Sequence, residues 1–332
     1  MLKGDIILLI KCNESGMQMK KDELLTRTWV VVLIAFICSA LWGSAFSGVK
    51  VGYERLGINS SDWASQMVFA GVRFAAAGIM TIAIGSISSR KLLVPGRQGI
   101  PKVIVISLFQ TILQYFFYYI GLAHTTGVKA AVIVAANVFT AILISSLIYK
   151  IERLTVRKIL GCVIGFSGIV LINLGGLTGG AGFSLLGDGF IFLCTIASGF
   201  SSVLMKKYSS KENPVMLSGW QFLFGGLVMC IIGAAFGGGI GKIDSDSVLI
   251  LIYLSFVSAA AYSLWSVLLK YNPVSRVAVF GFMNPICGVI ISGIVLKETD
   301  YFGMQAFIAL VLVCAGIYIV NKNNSDTELK NH

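Results

Sequence analysis

Polar and charged side chains interrupt the apolar stretches of this 332-residue sequence at only a few positions, and their types suit the binding of a small organic solute. Arg73 lies within one stretch, where its guanidinium could neutralise a carboxylate or phosphate. Bonds to backbone carbonyls or to Glu54 are the structural alternative. Gln110, Gln114 and Tyr118 recur at every fourth position, so they share one helix face. Their amides, hydroxyl and ring face could bind polar groups or cations.

Further candidates of the same kind lie in other apolar stretches. They are Trp42, Ser44, Asn137, Trp220, Gln221, Tyr262, Trp265 and Asn284. Helix packing is the alternative for the tryptophans, and a place at the membrane–water interface is the alternative for Tyr118 and Trp265. Pro285 removes a backbone amide donor and frees the carbonyl oxygen of Gly281, so we expect a hinge beside Asn284.

The sequence has no constellation typical of catalysis or of metal binding. It contains neither HExxH nor GxxxxGK[ST], and His124 is its only internal histidine. Six cysteines each stand alone in a different apolar stretch, at Cys38, Cys162, Cys194, Cys230, Cys287 and Cys314. We therefore predict no enzymatic activity, no catalytic residues, no cofactor and no metal site.

Charge and hydropathy place the candidate residues in a membrane protein. Only 12% of the residues are charged, against about 25% in soluble proteins. Ten apolar runs contain just two charges, Arg73 and Asp188, and each is close to the roughly 20 residues that cross a bilayer. The runs are 29–49, 66–88, 103–123, 130–149, 159–178, 184–205, 215–236, 248–269, 277–296 and 302–320. We predict an all-α polytopic membrane protein with ten transmembrane helices.

The basic residues predict the orientation of these helices. Twenty Lys and Arg residues fall in the two tails and in alternate loops, against five on the opposite side. By the positive-inside rule both termini are cytoplasmic, in the plasma membrane. The formal net charge of +11 is therefore interpreted as a topology signal, and we expect no nucleic acid partner.

The chain also repeats itself. The aligned segments are 39–50 with 196–207, 71–80 with 219–229, and 167–173 with 315–321, the last two at an offset of 148. This alignment places Arg73 opposite Gln221 and Phe74 opposite Phe222. Each unit holds five spans, and since five is odd, the second unit enters the membrane from the opposite side.

We expect four segments. They are a cytoplasmic tail 1–28, a first five-span repeat 29–178, a second repeat 184–320 and a cytoplasmic tail 321–332. Met17 and Met19 are alternative start positions. Inverted repeats are typical of secondary transporters, whose substrate site lies near the bilayer midplane between the repeats. A duplicated bundle that serves only as a scaffold is the alternative.

Six segments in order resemble the EamA-like branch of the drug/metabolite transporter superfamily. They are LWGSAFSGVKVG (41–52), VRFAAAGIM (72–80), YYIGLAHTTGVKAAVI (118–133), VFTAILISSLIYKIERLT (138–155), GDGF (187–190) and MNPICGVIISGIVLKE (283–298). The resemblance covers about residues 29–321. It implies a ten-helix bundle in which four helices of each half line a central cavity, with the fifth and tenth at the periphery. Because such proteins often have a proline where Asn137–Val138 stand, we expect only Pro285 to break a helix.

The repeat and the resemblance together predict a secondary transporter that exports amino acids or related small organic metabolites. Multidrug or aromatic-cation efflux and nucleobase transport are alternatives, and a membrane receptor or scaffold without transport is a different class. The expected partners are a small-molecule substrate and the lipid bilayer, for a monomer or homodimer. Substrate, direction of flux and coupling ion are not determined by these residues.

Overall fold

The chain is helical throughout the part that the structure, a computed structural model, describes: residues 24–150, 154–173, 182–241, 244–272, 277, 279–297 and 303–328. Within these ranges no strand occurs. The helices are α1 Thr28–Leu56, α2 Trp63–Ser89, α3 Ile100–Ala123, α4 Gly127–Ile148, α5 Val156–Asn173, α6 Leu185–Ser209, α7 Pro214–Ala235, α8 Ser245–Tyr271, α9 Met283–Val295 and α10 Met304–Glu328.

Among the described residues, seven helices are long and apolar enough to cross a membrane. These are α1 to α4 and α6 to α8, while Met283–Val295 and Met304–Val320 are shorter apolar helices. The prediction of an all-α membrane protein is confirmed. The count of ten spans and the cytoplasmic position of the termini remain predictions, and the alternative starts Met17 and Met19 lie outside the described residues.

Local sequence signals determine where several helices begin. Pro101 lies in the first turn of α3 and Pro214 begins α7, where a missing amide donor costs little. The Asp62 carboxylate caps α2 by accepting the Ser65 amide at 3.0 Å. At the start of α8, hydrogen bonds from the hydroxyl and amide of Ser247 hold the pKa of Asp244 below its ordinary value.

The expectation that only Pro285 breaks a helix is wrong, because α4 is interrupted at Ala135–Ala136 without a proline. Both alanines have ψ near −17°, and the Ala136 amide donates to the Ile133 carbonyl oxygen three residues back. Pro285 itself lies in the first turn of α9, directly after the 3₁₀ turn Val279–Phe282. A proline is tolerated there, so the helix starts near Pro285 instead of bending at it.

Helices α2 and α7 make a close contact that depends on glycine. A Cβ added to Gly71 would lie 2.7 Å from the Gly226 carbonyl oxygen, and one added to Gly226 would lie 2.7 Å from that of Gly71. A Cβ on Gly78 would lie 2.8 Å from the carbonyl oxygen of Gly219. Small residues allow such approaches between membrane helices. Adding 148 to Gly71 gives Gly219 and adding it to Gly78 gives Gly226, so the offset maps one contact onto the other, as a two-fold rotation would.

The same relation recurs between α5 and α10. A Cβ on Gly161 would lie 2.9 Å from the carbonyl oxygen of Gly316, and one on Gly168 would lie 2.6 Å from that of Ala309. Adding 148 to Gly161 gives Ala309, and adding it to Gly168 gives Gly316. In both helix pairs, therefore, the sequence repeat maps one close contact onto the other.

The remaining helices form two sets of neighbours around these pairs. Helix α1 packs against α8 and α9, and α6 packs against α3 and α4. Helix α9 contacts the Gly127–Val134 half of α4, whereas Asn137–Leu143 contacts α6. We name the two ends of the bundle by residues: the Asp188 end holds Lys129 and Asp188, and the Glu212 end holds Lys102 and Glu212.

A buried ion pair joins α4 to α6 at the Asp188 end. Lys129 Nζ lies 2.7 Å from Asp188 Oδ2, and the two side chains are 4% and 1% exposed. The other carboxylate oxygen accepts the Thr125 hydroxyl at 2.6 Å, and Oδ2 also accepts the Ser184 amide at 2.9 Å. Lys129 lies just before an apolar run in the sequence, yet its ammonium group is inside the bundle. At the Glu212 end, Lys102 and Glu212 also pair at 2.7 Å but are 23% and 19% exposed.

Replacing Asp188 by Asn should destabilise the protein by about 3–5 kcal/mol, because it leaves the Lys129 charge buried and unpaired. The double variant Lys129→Met/Asp188→Leu should recover most of this loss, since neither charge remains. Unfolding in detergent, followed by circular dichroism, measures both effects. Arg55→Gln is the control: it removes a pair with Asp246 that is more than half exposed, and should cost about 1 kcal/mol or less. Equal losses for Asp188→Asn and Arg55→Gln would contradict the structural role of the buried pair.

Candidate functional site

Four aromatic rings meet where α2 crosses α7. Phe74 stacks on Phe222, with ring centroids 5.3 Å apart and planes inclined by 20°. Phe74 also contacts Tyr115 of α3 at 4.1 Å, and Phe222 contacts Tyr262 of α8 at 4.9 Å. The hydroxyl oxygens of Tyr115 and Tyr262 lie 3.3 Å apart and close the circle. We call these four residues the aromatic quartet.

More aromatic rings surround the quartet. Trp42 of α1 packs edge-on against Tyr262 at 5.5 Å and against Trp265 at 5.3 Å. On the other side, Tyr118 contacts Tyr115 at 5.8 Å. The structure thus brings the predicted residues Trp42, Tyr118, Tyr262 and Trp265 into one aromatic cluster, formed by α1, α3 and α8.

Several buried polar atoms on these and neighbouring helices have no hydrogen-bond partner. Among the predicted residues they are Trp42 Nε1, Gln110 Oε1, Gln114 Oε1, Gln221 Nε2 and Asn284 Oδ1. An unpaired buried donor or acceptor costs about 1–3 kcal/mol, and each one calls for a physical explanation. A ligand that supplies the missing donors and acceptors is such an explanation.

Gln221 is held in place by α3. Its side-chain oxygen accepts the Thr111 hydroxyl, and its backbone carbonyl oxygen accepts the Ser107 hydroxyl at 3.1 Å. Both donors lie in the π-helical segment Ser107–Leu113, a wide turn of a kind often found at functional sites. The amide nitrogen Nε2 of Gln221 is left as an oriented, buried donor.

Arg73 lies on α2 beside the quartet and is only 3% exposed. Its Nε donates to the Leu254 carbonyl oxygen at 3.1 Å, Nη1 to the Tyr119 hydroxyl at 2.7 Å, and Nη2 to the Ser258 hydroxyl at 2.9 Å. The guanidinium carbon also lies 4.8 Å from the Phe74 ring centroid. Glu54 is exposed and is not among these contacts. The acceptors around Arg73 are therefore neutral groups of α3 and α8.

Other predicted residues lie apart from the aromatic cluster. The hydroxyl of Ser44 donates to the Leu41 carbonyl oxygen at 2.7 Å and accepts from Tyr253, which is 40% exposed. Trp220 Nε1 donates to the Leu93 carbonyl oxygen at 2.7 Å, at the Glu212 end. Asn137 begins the second part of α4 after the interruption.

The sequence missed several members of the site. Phe74 and Phe222 appeared only as aligned positions of the repeat, and Tyr115 was not among the candidates, although it follows Gln114 directly in the sequence. The feature that could have identified them is their separation in the sequence, which is close to the repeat offset: 148 residues between the two phenylalanines and 147 between Tyr115 and Tyr262.

The groups brought together here are aromatic rings and neutral polar side chains, with Arg73 beside them. Among the described residues, no group of three or more His, Cys, Asp or Glu could hold a metal ion. The arrangement offers ring faces, the unpaired donors Trp42 Nε1 and Gln221 Nε2, and the unpaired acceptors of Gln110 and Gln114. A compact solute with both an acceptor oxygen and an N–H donor would complement these groups.

Known proteins with similar sequences are named as transporters. An uncharacterized transporter of Archaeoglobus fulgidus is 27% identical over 300 residues, covering 89% of this chain and 98% of its own. A probable amino-acid metabolite efflux pump of Salmonella typhimurium is 24% identical, covering 86% and 93%. One solved crystal structure superposes with a TM-score of 0.62 at 18% identity, covering 90% of this chain and 98% of its own, and shows a shared fold.

The model of the EamA-like transporter family matches this chain twice, at residues 29–174 and 185–322. The two matches correspond to the two units of the sequence repeat and cover most of the chain. The predicted resemblance to the EamA-like branch of the drug/metabolite transporters is thereby confirmed, and the chain belongs to the EamA-like transporter family.

Proposed function

We propose that this membrane transporter is a secondary transporter of the plasma membrane that exports amino acids or related small organic metabolites by alternating access. As a member of a transporter family it is not an enzyme. The observation that carries the proposal is the set of unpaired buried polar atoms on the helices of the aromatic cluster and on their neighbours. The Salmonella relative, named as a probable amino-acid metabolite efflux pump, supports the substrate class.

The proposed architecture is ten spans in two inverted five-helix repeats, 29–178 and 184–320. Pairs of close contacts that the offset maps onto each other support it, because a two-fold axis in the membrane plane has this effect. The hydroxyl of Ser255 donates to the Arg73 carbonyl oxygen at 3.1 Å, and that of Ser107 donates to the Gln221 carbonyl oxygen at 3.1 Å. Ser107 and Ser255 are also 148 residues apart, so this pair of bonds follows the same symmetry.

The proposed topology places both termini and the Glu212 end in the cytoplasm, following the distribution of Lys and Arg. Packing then supports a state closed to the outside. Helix α9 contacts the outer half of α4, while the inner half contacts α6. At the Glu212 end, the buried apolar residues form two separate clusters, one around Leu93 and Met216 and the other around Val31 and Leu268. A path from the cytoplasm to the quartet would run between them.

In the proposed site, each group has a role that fits its unpaired atom. The oxygens of Gln110, Gln114 and Asn284 would accept an ammonium or amide hydrogen, and Trp42 Nε1 and Gln221 Nε2 would donate to oxygen. The aromatic quartet would contact the apolar part of the solute. Because ring faces also attract cations, efflux of aromatic cations is the second candidate function.

An efflux screen tests the function. Cells that express the chain should resist toxic amino-acid analogues and should release the matching amino acids, as measured by mass spectrometry of the medium. Purified protein in proteoliposomes should then exchange the same solute. Resistance confined to cationic dyes would replace the proposal with aromatic-cation efflux, and bound solutes that never cross the membrane would favour the receptor or scaffold.

Replacing Gln114 by Leu should lower transport while leaving the protein as stable or more stable. The substitution removes an unpaired buried carbonyl oxygen, so unfolding should not be easier, but the solute loses a hydrogen bond worth about 1 kcal/mol or more. We expect KM to rise about tenfold in proteoliposomes, with an unfolding temperature equal to or above that of the original protein.

The matched control is Gln66→Leu. The carbonyl oxygen of Gln66 is also unpaired, but its amide nitrogen donates to the carbonyl oxygens of Asn59 and Ser60, both at 3.0 Å. Loss of these two bonds should lower the unfolding temperature and leave KM unchanged. If Gln114→Leu behaves like this control, Gln114 has a packing role and does not bind the solute.

Replacing Pro285 by Ala should slow exchange more than it weakens binding. The prediction rests on a hinge at the 3₁₀ turn Val279–Phe282, which an added amide donor at residue 285 would allow to become regular helix. Counterflow rates and solute affinity, measured on the same preparation, separate the two effects. An unchanged counterflow rate would contradict the hinge hypothesis.

A further inference from the structure

We infer that Arg73 binds the carboxylate of the transported solute and orients the solute with this group toward the Asp188 end. The inference rests on the proposed function and narrows its substrate class to carboxylates. Amines, amides and nucleobases that lack a carboxylate would then be poor substrates.

The first argument is the charge of Arg73, which has no acidic partner in the part of the chain that the structure describes. Buried charges in proteins are generally paired, yet the three acceptors of this guanidinium are a carbonyl oxygen and two hydroxyl groups. Three of its five N–H donors are used, so two are left over. Hydroxyl groups of Tyr119 and Ser258 can also donate, so they could turn toward a carboxylate placed between them.

The buried ion pair between Lys129 and Asp188 does not supply a negative charge to Arg73. Lys129 and Asp188 neutralise each other at 2.7 Å. Among the acidic residues that the structure describes, Asp188 is the buried one. A single positive charge therefore remains beside the aromatic quartet, and one carboxylate would balance it. A phosphate monoester, with nearly two negative charges, would leave an excess negative charge in an apolar site.

The second argument is the comparison of Arg73 with Gln221, its counterpart in the repeat. Both lie one residue before a phenylalanine of the quartet, and a serine hydroxyl binds the carbonyl oxygen of each at 3.1 Å. The two positions thus share their backbone setting and differ in charge. A neutral glutamine is sufficient for helix packing at position 221, so packing by itself does not require a positive charge at position 73.

Because only Arg73 is charged, the two sides of the site differ in charge. Arg73 is about 15 Å along α2 from its start at the Asp188 end, and Gln221 is about 10 Å along α7 from its start at the Glu212 end, at 1.5 Å per residue. The positive charge therefore lies on the Asp188 side of the quartet. A solute with one carboxylate and one N–H donor would align along the transport path.

Matched ligands test the inference without relying on a variant. Phenylacetate and phenylacetamide have nearly the same shape and differ in charge, and butyrate and butyramide form a second such pair. Binding to the purified full-length protein in detergent is measured by tryptophan fluorescence and isothermal titration at constant ionic strength. We expect at least one acid to bind about tenfold or more tightly than its amide, as a charge-assisted bond implies.

Variants then assign the preference to Arg73. Arg73→Gln, which reproduces the residue of the repeat, should abolish the preference, and Arg73→Lys should retain part of it. Arg55→Gln, which removes an exposed arginine, should leave it unchanged. If Arg73→Gln fails to fold, the original protein and Arg73→Lys still decide the question.

Equal affinity for acids and amides would overturn the inference. So would a preference for the acids that survives in Arg73→Gln, and so would a failure of all four ligands to bind. These outcomes are distinct from failure of the proposed function. A protein that exchanges solutes in proteoliposomes regardless of their carboxylate is a transporter whose Arg73 serves packing. A protein that exchanges nothing is not the proposed exporter.

Discussion

The close contact of α2 with α7 determines where the groups at the centre of the protein lie. Glycines at both crossing points, Gly71 against Gly226 and Gly78 against Gly219, bring the backbones together. At this separation the rings of the intervening phenylalanines stack, and the tyrosines of α3 and α8 complete the quartet. A side chain at Gly71, Gly78 or Gly226 would force the helices apart and open the quartet, because a Cβ there would overlap the facing backbone. The chemistry of the site therefore depends on a packing feature that itself carries no polar group.

The buried polar groups near this contact are of two kinds: those that have hydrogen-bond or ion-pair partners and those that have none. In an apolar medium a polar group is costly unless it is paired. The Lys129–Asp188 pair meets this requirement, with additional bonds from Thr125 and the Ser184 amide. The amides of Gln110 and Gln114 do not meet it, since their oxygens have no partner. Stability alone would favour leucine at these two positions; under the proposed function, a bound solute supplies the missing donors.

Hydropathy was enough to predict an all-helical membrane protein, because membrane spans must be long and apolar whatever their neighbours, and the six resembling segments indicated the family. The interruption of α4 at Ala135–Ala136 could not be predicted, since alanine favours a helix. Polarity marked Gln110, Gln114 and Gln221, but it also marked Ser44 and Trp220, whose partners lie elsewhere. Residue type says that a side chain is unusual in a membrane; only the fold decides which partner it meets. Phe74 and Phe222 are ordinary core residues by type and are distinguished only by their place in the repeat.

The ion pairs at the two ends of the bundle differ in how far they are buried. The ion pair at the Asp188 end is 4% and 1% exposed, and the pair at the Glu212 end is 23% and 19% exposed. Separating charges costs more where water is excluded, and Arg73 adds three further bonds on the Asp188 side. A transporter must nevertheless reach both states, which requires that they differ by only a few kcal/mol. Under the proposed mechanism, a bound carboxylate would replace the neutral acceptors of Arg73. Because those acceptors belong to α3 and α8, this exchange would loosen the links between helices that hold the Asp188 end closed. The charge that selects the solute would then also lower the cost of releasing it on that side.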